Sequence, residues 1–422
     1  MLPFPPADLA IWTPFEAAAL PAAPLVDRPL SIWEITTWIL PMAPEHFRRV
    51  LAAAPHLPQG SGAEGGTRWF TQTDLVPLRA HFASAGRKAR YQPQRLGGAR
   101  APLVALTGPM GAMGRSTALL HLAVGAALSG YRILVIEGDA AGTLAPLLPA
   151  LPSGAALQGA GQGALGVLSL IARSAALHLR GLNQARLDRG DAPQPMDDRL
   201  TAALTLTAAD LIKASRWPGL DVMPLPPQAL LGDGLITGWR QALRGWQPGL
   251  VAALQDDGLR QRYDLILCDT PRGLGPLALS LLGAADILLA PLPLLGAGLP
   301  RLTAGLQALA EATALTEAEA HNLARALGQP PSPAPAQQLL ILPTRAGTDA
   351  ARQMAGFAAK LGDALLADPL PEIAAIAGCQ VAHLYDLDYR SLGRLTYAPL
   401  RQACDTACRA VVQAVLGFAA KP

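Results

Sequence analysis

The sequence predicts an α/β fold, a doubly wound and mainly parallel sheet over residues 101–422, behind a small N-terminal winged helix-turn-helix domain. Three observations predict it. Short, unbroken apolar runs recur at 103–106, 132–136, 220–223, 265–268, 286–290 and 339–343. Runs that do not alternate with polar residues read as strands buried on both faces, as parallel strands are. Helical texture separates them, the pattern of a layered α/β domain. Finally, the first two runs are joined by a glycine-rich turn and a helical stretch ending at Gly130. That is a βαβ unit with the shape of a phosphate-binding loop.

Bulk composition narrows the function classes. The chain has 422 residues, of which 51% are apolar and 15% charged, so it carries enough apolar surface for two or three packed domains and too few charges for extended disorder. A net charge of +3 is too small to argue for nucleic acid by itself. Four cysteines, Cys268, Cys379, Cys404 and Cys408, form no disulfide framework. Cys404 and Cys408 lie four apart on an expected helix and read as buried small hydrophobes rather than metal ligands. The first residues have no basic-then-apolar pattern of a signal peptide. No uninterrupted apolar run reaches about 20 residues, since 277–299 is broken by Asp286, Pro291 and Pro293. A cytoplasmic, nucleoid-associated protein without a membrane partner is expected.

Residues 1–29 read as a loose proline-rich arm with one short helix at 8–20. Residues 30–85 have a different texture. Ser31 and Glu34 have the spacing of a capping box, opening a first helix. Pro44 to Leu51 is a second helix, Leu57 to Gly66 a hairpin-like glycine- and proline-rich stretch, and Thr71 to Ala85 a third helix. Two short helices, a wing and a further helix suggest a winged helix-turn-helix. In that reading the helix at 44–54 enters a DNA groove and brings His46, Arg48 and Arg49 to bases or phosphates. A small dimerisation domain with solvated arginines is the alternative. Residues 86–100 form a basic linker, with Arg87, Lys88, Arg90, Arg95 and Arg100 and no acid.

The turn after the first apolar run is Gly108-Pro109-Met110-Gly111-Ala112-Met113-Gly114-Arg115-Ser116-Thr117. Small residues let backbone N–H groups approach phosphate oxygens, and the following helix points its positive end at them. The strict GxxxxGK[ST] pattern is not met, because Pro109 stands at the first glycine and Arg115 at the lysine. Taken alone, the loop is equally well a structural turn before a helix.

Farther on, 149–166 is a glycine- and alanine-rich loop, and 167–214 is mostly helical with a polar break at 189–198. Helical texture returns at 232–254. Tyr263-Asp264 then leads a strand that ends in Asp269-Thr270-Pro271, an acid at the strand end where open α/β sheets hold ligands. Helices follow at 277–284, 298–326 and 399–418.

Together these stretches resemble the ParA/MinD-type partition ATPases, with their deviant Walker loop, and within them the RepA branch of RepABC plasmids. The carriers are Gly114-Arg115-Ser116-Thr117, Gly130-Tyr131-Arg132 through Glu137-Gly138-Asp139, the strand Gly219 to Pro224, and the Tyr263 to Pro271 strand. Asp286 with its strand and Gly378 to Asp386 add to it, as does Arg68 to Arg79 in the N-terminal domain. The resemblance implies ATP and Mg²⁺ as cofactors, with DNA, a ParB/RepB-like protein and a second copy of the chain as partners. By it, Gly111, Ala112, Met113, Gly114, Arg115, Ser116 and Thr117 would wrap the phosphates. Ser116 and Asp269 would hold Mg²⁺, Asp139 would orient the attacking water, and Arg115 would take the place of the catalytic lysine.

The departures matter. Arg115 keeps a positive charge, but a planar fork is not a compact ammonium. Met110 stands where the family has its signature lysine, and Ala112 where it has a glycine. Glu137 replaces the family's first aspartate. Two functions stay open: a ParA/RepA-like partition ATPase with weakened hydrolysis, or a non-catalytic ParA-like DNA-binding regulator. A MinD-like membrane protein is a distant third, because the last helix lacks a strongly basic, apolar face.

Overall fold

The computed structural model describes residues 28–62, 67–84, 91–93, 100–108, 114–139, 144, 147, 166–225, 231–243, 246, 250, 254, 258–294, 298–326, 337–374, 376 and 383–419. The expected helix at 8–20, the tip of the 57–66 stretch, nearly all of the 149–166 loop, residues 109–113 and residues 377–382 lie outside them.

The described residues open with a two-stranded antiparallel ribbon, β1 (Leu30–Ser31) and β2 (Trp69–Phe70). Three helices accompany it: α1 (Ile32–Glu34, continued as a π turn over Ile35–Ile39), α2 (Pro44–Ala53) and α3 (Leu75–Ser84). The expected capping box is present. Glu34 N–H donates to Ser31 Oγ at 3.2 Å, and Ser31 N–H donates to Glu34 Oε2 at 3.0 Å. Between α2 and α3 the chain reverses at an antiparallel bridge from Ser61 to Trp69. The third helix starts at Leu75 instead of Thr71. Residues 71–74 are a turn in which the Asp74 carboxylate accepts the Thr71 N–H at 2.8 Å.

The main sheet contains β3 (Leu103–Leu106), β4 (Ile133–Glu137), β5 (Lys213–Ala214), β6 (Leu220–Met223), β7 (Leu265–Asp269), β8 (Ile287–Pro293) and β9 (Gln338–Thr344). Their order is β5-β6-β4-β7-β3-β8-β9. All six expected strands are there and mutually parallel, and β3 lies against β7 with Leu106 opposite Asp269. The antiparallel edge strand β5 was not expected, and its two residues carry no apolar run.

The helices of this part are α4 (Arg115–Leu128), α5 (Val167–Leu187), α6 (Asp198–Ala203), α7 (Ala208–Leu211), α8 (Gly232–Ala242), α9 (Leu259–Arg262) and α10 (Pro276–Ala284). Then come α11 (Gly298–Ala326), α12 (Ala350–Leu361), α13 (Tyr389–Leu392) and α14 (Arg394–Ala419). The last helix begins before the expected Pro399 and carries that proline inside it.

Alternation along β3, β4 and β7 puts their side chains into two clusters, because successive side chains point to opposite faces, and a third, smaller cluster gathers Ala290, Leu292, Leu302 and Ile341. Val104, Leu106, Ile133, Val135, Leu265 and Leu267 join one cluster with α4 and α14. Leu103, Ala105, Leu134, Ile136, Ile266 and Cys268 join the other, with α5, α8 and α10. The N-terminal elements share the first cluster through Phe47, Leu51, Phe70, Leu78 and Phe82. Arg79 ties them to the sheet domain by donating to Leu128 O at the end of α4. Cys268, Cys404 and Cys408 are free and buried.

Several family-like motifs prove to be stitches within the sheet. Asp264, before β7, accepts both the backbone N–H and a guanidinium N–H of Arg132, before β4, each at 2.8 Å. Asp286 accepts the Leu103 N–H and Arg260 Nη1, each at 2.7 Å, and lies 3.6 Å from Arg100 of the expected linker. The free edge of β9 is covered by an irregular return of the chain, where Leu366 and Leu370 N–H donate to Ile341 O and Pro343 O at 2.9 Å. Covering an edge removes a template for unwanted strand pairing.

Candidate functional site

The parallel sheet brings the carboxyl ends of β3, β4 and β7 together, and α4 starts above them. Gly114 caps α4 in the left-handed region, with φ 73° and ψ 25°, which glycine adopts without a Cβ penalty. The next residues point into the crevice. Ser116 Oγ donates to Asp269 Oδ2 at 2.7 Å. The two residues expected to hold a metal ion therefore meet. Asp269 is fully buried at the end of β7.

Arg115 is 8% exposed, and its guanidinium turns toward the strand ends. Its Nη1 donates to Thr270 Oγ1 at 3.2 Å and to Pro271 O at 3.1 Å. Thr270 in turn donates to Leu106 O at 2.7 Å, so the guanidinium is fastened to the exits of β7 and β3. Burial lowers the pKa of Arg115; the carboxylates of Asp269 and Asp139 oppose that, and Arg272 adds to it. The sequence could not show this direction of the side chain, because only the folded sheet places Thr270 beside α4.

Asp139 is half-buried, two residues beyond the end of β4. Glu137, directly opposite Asp269 in the sheet, is occupied differently from a ligand-facing acid. It is buried and accepts the N–H groups of Leu144 at 2.9 Å and Leu225 at 3.1 Å. Burial raises its pKa, the two N–H donors pull it down, and Asp269 and Asp139 push it up. Between the two acids there is no room for a side chain at position 138. A Cβ on Gly138 would lie 2.4 Å from Leu281 Cδ1 and 2.5 Å from Asp269 O.

Beside Gly114 opens a cavity of about 530 Å³, bounded by α4, the end of β9 and the returning segment 370–376. That volume lies in the usual range for small-molecule sites. Thr344 Oγ1 in its wall is buried without a hydrogen-bond partner among the described residues. Arg345, also in the wall, has φ 55°. A non-glycine residue there costs about 1–2 kcal/mol, and such strain gathers at functional sites. Sequence reasoning missed both residues. The one available signal was their place just after an apolar parallel strand. His121, on the same helix, is used by the fold itself. Leu384 N–H donates to its Nε2 at 3.2 Å, so Nδ1 carries the proton that it shares with Thr117 O at 2.7 Å. Burial lowers its pKa and keeps it neutral.

Of the seven expected phosphate-binding residues, Gly114, Arg115, Ser116 and Thr117 line this end of α4. Gly111, Ala112 and Met113 lie outside the described residues, as does Met110. The oxygens of Ser116 and Asp269 have the hardness Mg²⁺ prefers. The cation already fastened beside them does not fit a divalent ion, which it would repel.

The expected DNA-binding residues are on α2, far along the chain. Phe47 and Leu51 face the core, and Arg48 and Arg49 are exposed on the other side. Arg49 Nη2 is 3.0 Å from His46 Nδ1, and Arg48 lies 3.6 Å from Glu45.

No family model matches the sequence. A protein of Rhizobium rhizogenes described as a replication protein A is 30% identical over 115 residues, 27% of this chain and 28% of that protein. One of Sinorhizobium fredii with the same description is 25% identical over 248 residues, 55% of this chain and 49% of its own length. The chain thus spans half or less of the curated relatives it matches. Among the described residues no helix is long and apolar enough to cross a membrane. A solved structure described as a partition protein matches 98% of this chain and 99% of its own, at 14% identity and a TM-score of 0.55, so the chain shares that protein's fold.

Proposed function

We propose that the chain is a ParA/RepA-like partition protein that binds ATP at the start of α4 and DNA through α2, acts as a homodimer with a ParB/RepB-like partner, and hydrolyses ATP weakly. The observation that carries the reading is the 2.7 Å contact of Ser116 with Asp269, at the N-terminus of a helix that follows the central strand. A helix start of this kind favours phosphate through free N–H groups and its dipole. Triphosphate oxygens there would place the nucleoside in the adjoining 530 Å³ cavity, against Thr344 and Arg345.

One observation favours the second reading, a non-catalytic DNA-binding regulator. Arg115 is bonded to Thr270 and Pro271, so its guanidinium is committed in part to the strand exits and is not free to follow a transferring phosphoryl. Preorganised donors to a transferring phosphoryl are worth several kcal/mol of barrier. ATP binding and ATP turnover should therefore be measured side by side on the same preparation. Binding with turnover at background supports the regulator. Binding with turnover that Asp139→Ala abolishes supports the ATPase, and no binding at all refutes the ATPase.

A further inference from the structure

Arg115, Ser116, Asp269 and Asp139 together bear on which cation serves the phosphates. The guanidinium is held by two hydrogen bonds, to Thr270 Oγ1 at 3.2 Å and Pro271 O at 3.1 Å, directly after the acid that would coordinate a metal. The other half of the metal pair, the Ser116 hydroxyl, is donated to Asp269 at 2.7 Å. A guanidinium stays charged at neutral pH. It is planar, presents five N–H groups, and suits phosphate oxygens as well as carboxylates. Burial to 8% exposure leaves its charge poorly screened by water.

We propose that Arg115 stands in for the magnesium ion: the site binds a nucleoside di- or triphosphate without a divalent cation, its guanidinium bridging the acidic strand ends and the phosphate oxygens. The inference rests on the reading of this site as a nucleotide site. Three features support it. The cation is already fixed to the strand exits, so little ordering is left for binding to accomplish. Asp269 and Asp139 already have the Arg115 guanidinium as a counter-charge, since both carboxylates hold its pKa up against burial. Both bonds leave from one terminal nitrogen, Nη1, so the rest of the fork, Nε and Nη2, is available for phosphate oxygens, whereas a lysine has a single nitrogen for both tasks.

The test uses the full chain and a fluorescent ADP analogue, titrated once in excess Mg²⁺ and once in excess EDTA. The expected result is binding whose Kd agrees within about threefold between the two buffers. The Arg115→Lys variant, with the spacing of an ordinary phosphate loop, should then gain a magnesium dependence of about tenfold or more. A wild-type Kd that tightens about tenfold with Mg²⁺ overturns the inference and leaves the nucleotide site standing. Absence of binding in either buffer overturns the nucleotide reading itself. Should Arg115→Lys fail to fold, the wild-type comparison alone decides.

Discussion

Glu137 offers the sharpest test of how the strand ends are built. Its carboxylate accepts two backbone N–H groups, from Leu144 and Leu225, and it is 3% exposed. Glu137→Ala leaves both donors buried without acceptors. Each orphaned group costs about 1–3 kcal/mol, so the loss should be roughly 2–6 kcal/mol before any cavity cost. Glu137→Gln keeps the shape, and its carbonyl oxygen still accepts one N–H, but its NH₂ meets the other donor to donor. One orphan remains, and the removed cost of burying a charge offsets part of it, so a loss of about 0–2 kcal/mol follows. The two variants also differ from wild type in pH dependence. The folded pKa of Glu137 is raised, chiefly by burial, so its contribution is fully present below the ordinary carboxylate range and is lost as pH rises through the folded value. Urea unfolding from pH 4 to 8, followed by far-UV circular dichroism, reads both effects. The wild type should lose stability relative to Glu137→Gln as pH rises. An alanine variant as stable as the glutamine variant, or a glutamine variant that gains relative stability toward low pH, would refute the account.

Other outcomes follow from the same structure. Gly125→Ala gains about 0.5–1 kcal/mol of helix propensity, yet its Cβ would lie 2.6 Å from Tyr385 Oη and 2.7 Å from Cys408 Sγ. Overpacking of this kind costs about 1–3 kcal/mol, so the variant should melt at lower temperature, and adding Tyr385→Phe should return part of the loss. If α2 contacts phosphates, Arg48→Ala/Arg49→Ala should weaken DNA binding and reduce the slope of log K against log salt by about two in a filter or anisotropy assay. An unchanged slope would place those arginines off the DNA.

Much of the fold was legible because parallel strands leave a plain mark. The runs at 103–106 and 220–223 match their strands to the residue, and no partner strand is needed to recognise a segment buried on both faces. β5 was not legible, since its two residues, Lys213 and Ala214, are defined only by pairing with β6. The start of α14 differs from the sequence expectation because proline favours the first turn of a helix, whereas Pro399 lies inside this one. In the site, Ser116 and Asp269 were legible as the hydroxyl after a glycine and the acid after an apolar strand. What each charged motif residue touches was not. Arg132 and Asp264 are 132 positions apart, and their pairing depends on β4 lying next to β7. Glu137 stands in sequence where the resemblance puts an aspartate, yet the amides of Leu144, seven residues on, and Leu225, 88 residues on, occupy it.

The helix α4 is the one element that all of these parts share. Its first turn carries Arg115 and Ser116 into the strand exits. Its second turn carries His121, whose ring joins Thr117 O to the Leu384 N–H. Gly125 lets Tyr385 and Cys408 approach closely, and the Cys408 thiol donates to His121 O at 3.3 Å. At its far end Leu128 O accepts from Arg79 at 2.6 Å, and Arg79 belongs to α3 of the N-terminal elements. Burial pushes the Arg79 pKa down to about 10, which still leaves it charged at neutral pH, where a cation suits a helix C-terminus. Fourteen helical residues span about 21 Å, and a helix packed on both its neighbours moves as a rod. A shift of the first turn on binding phosphate would therefore reach Arg79 with little loss. The N-terminal elements share a hydrophobic cluster with α4. Coupling between the proposed phosphate site and the N-terminal elements would need two arrangements of one shared element, and α4 meets the first at Arg115 and Ser116 and α3 at Leu128.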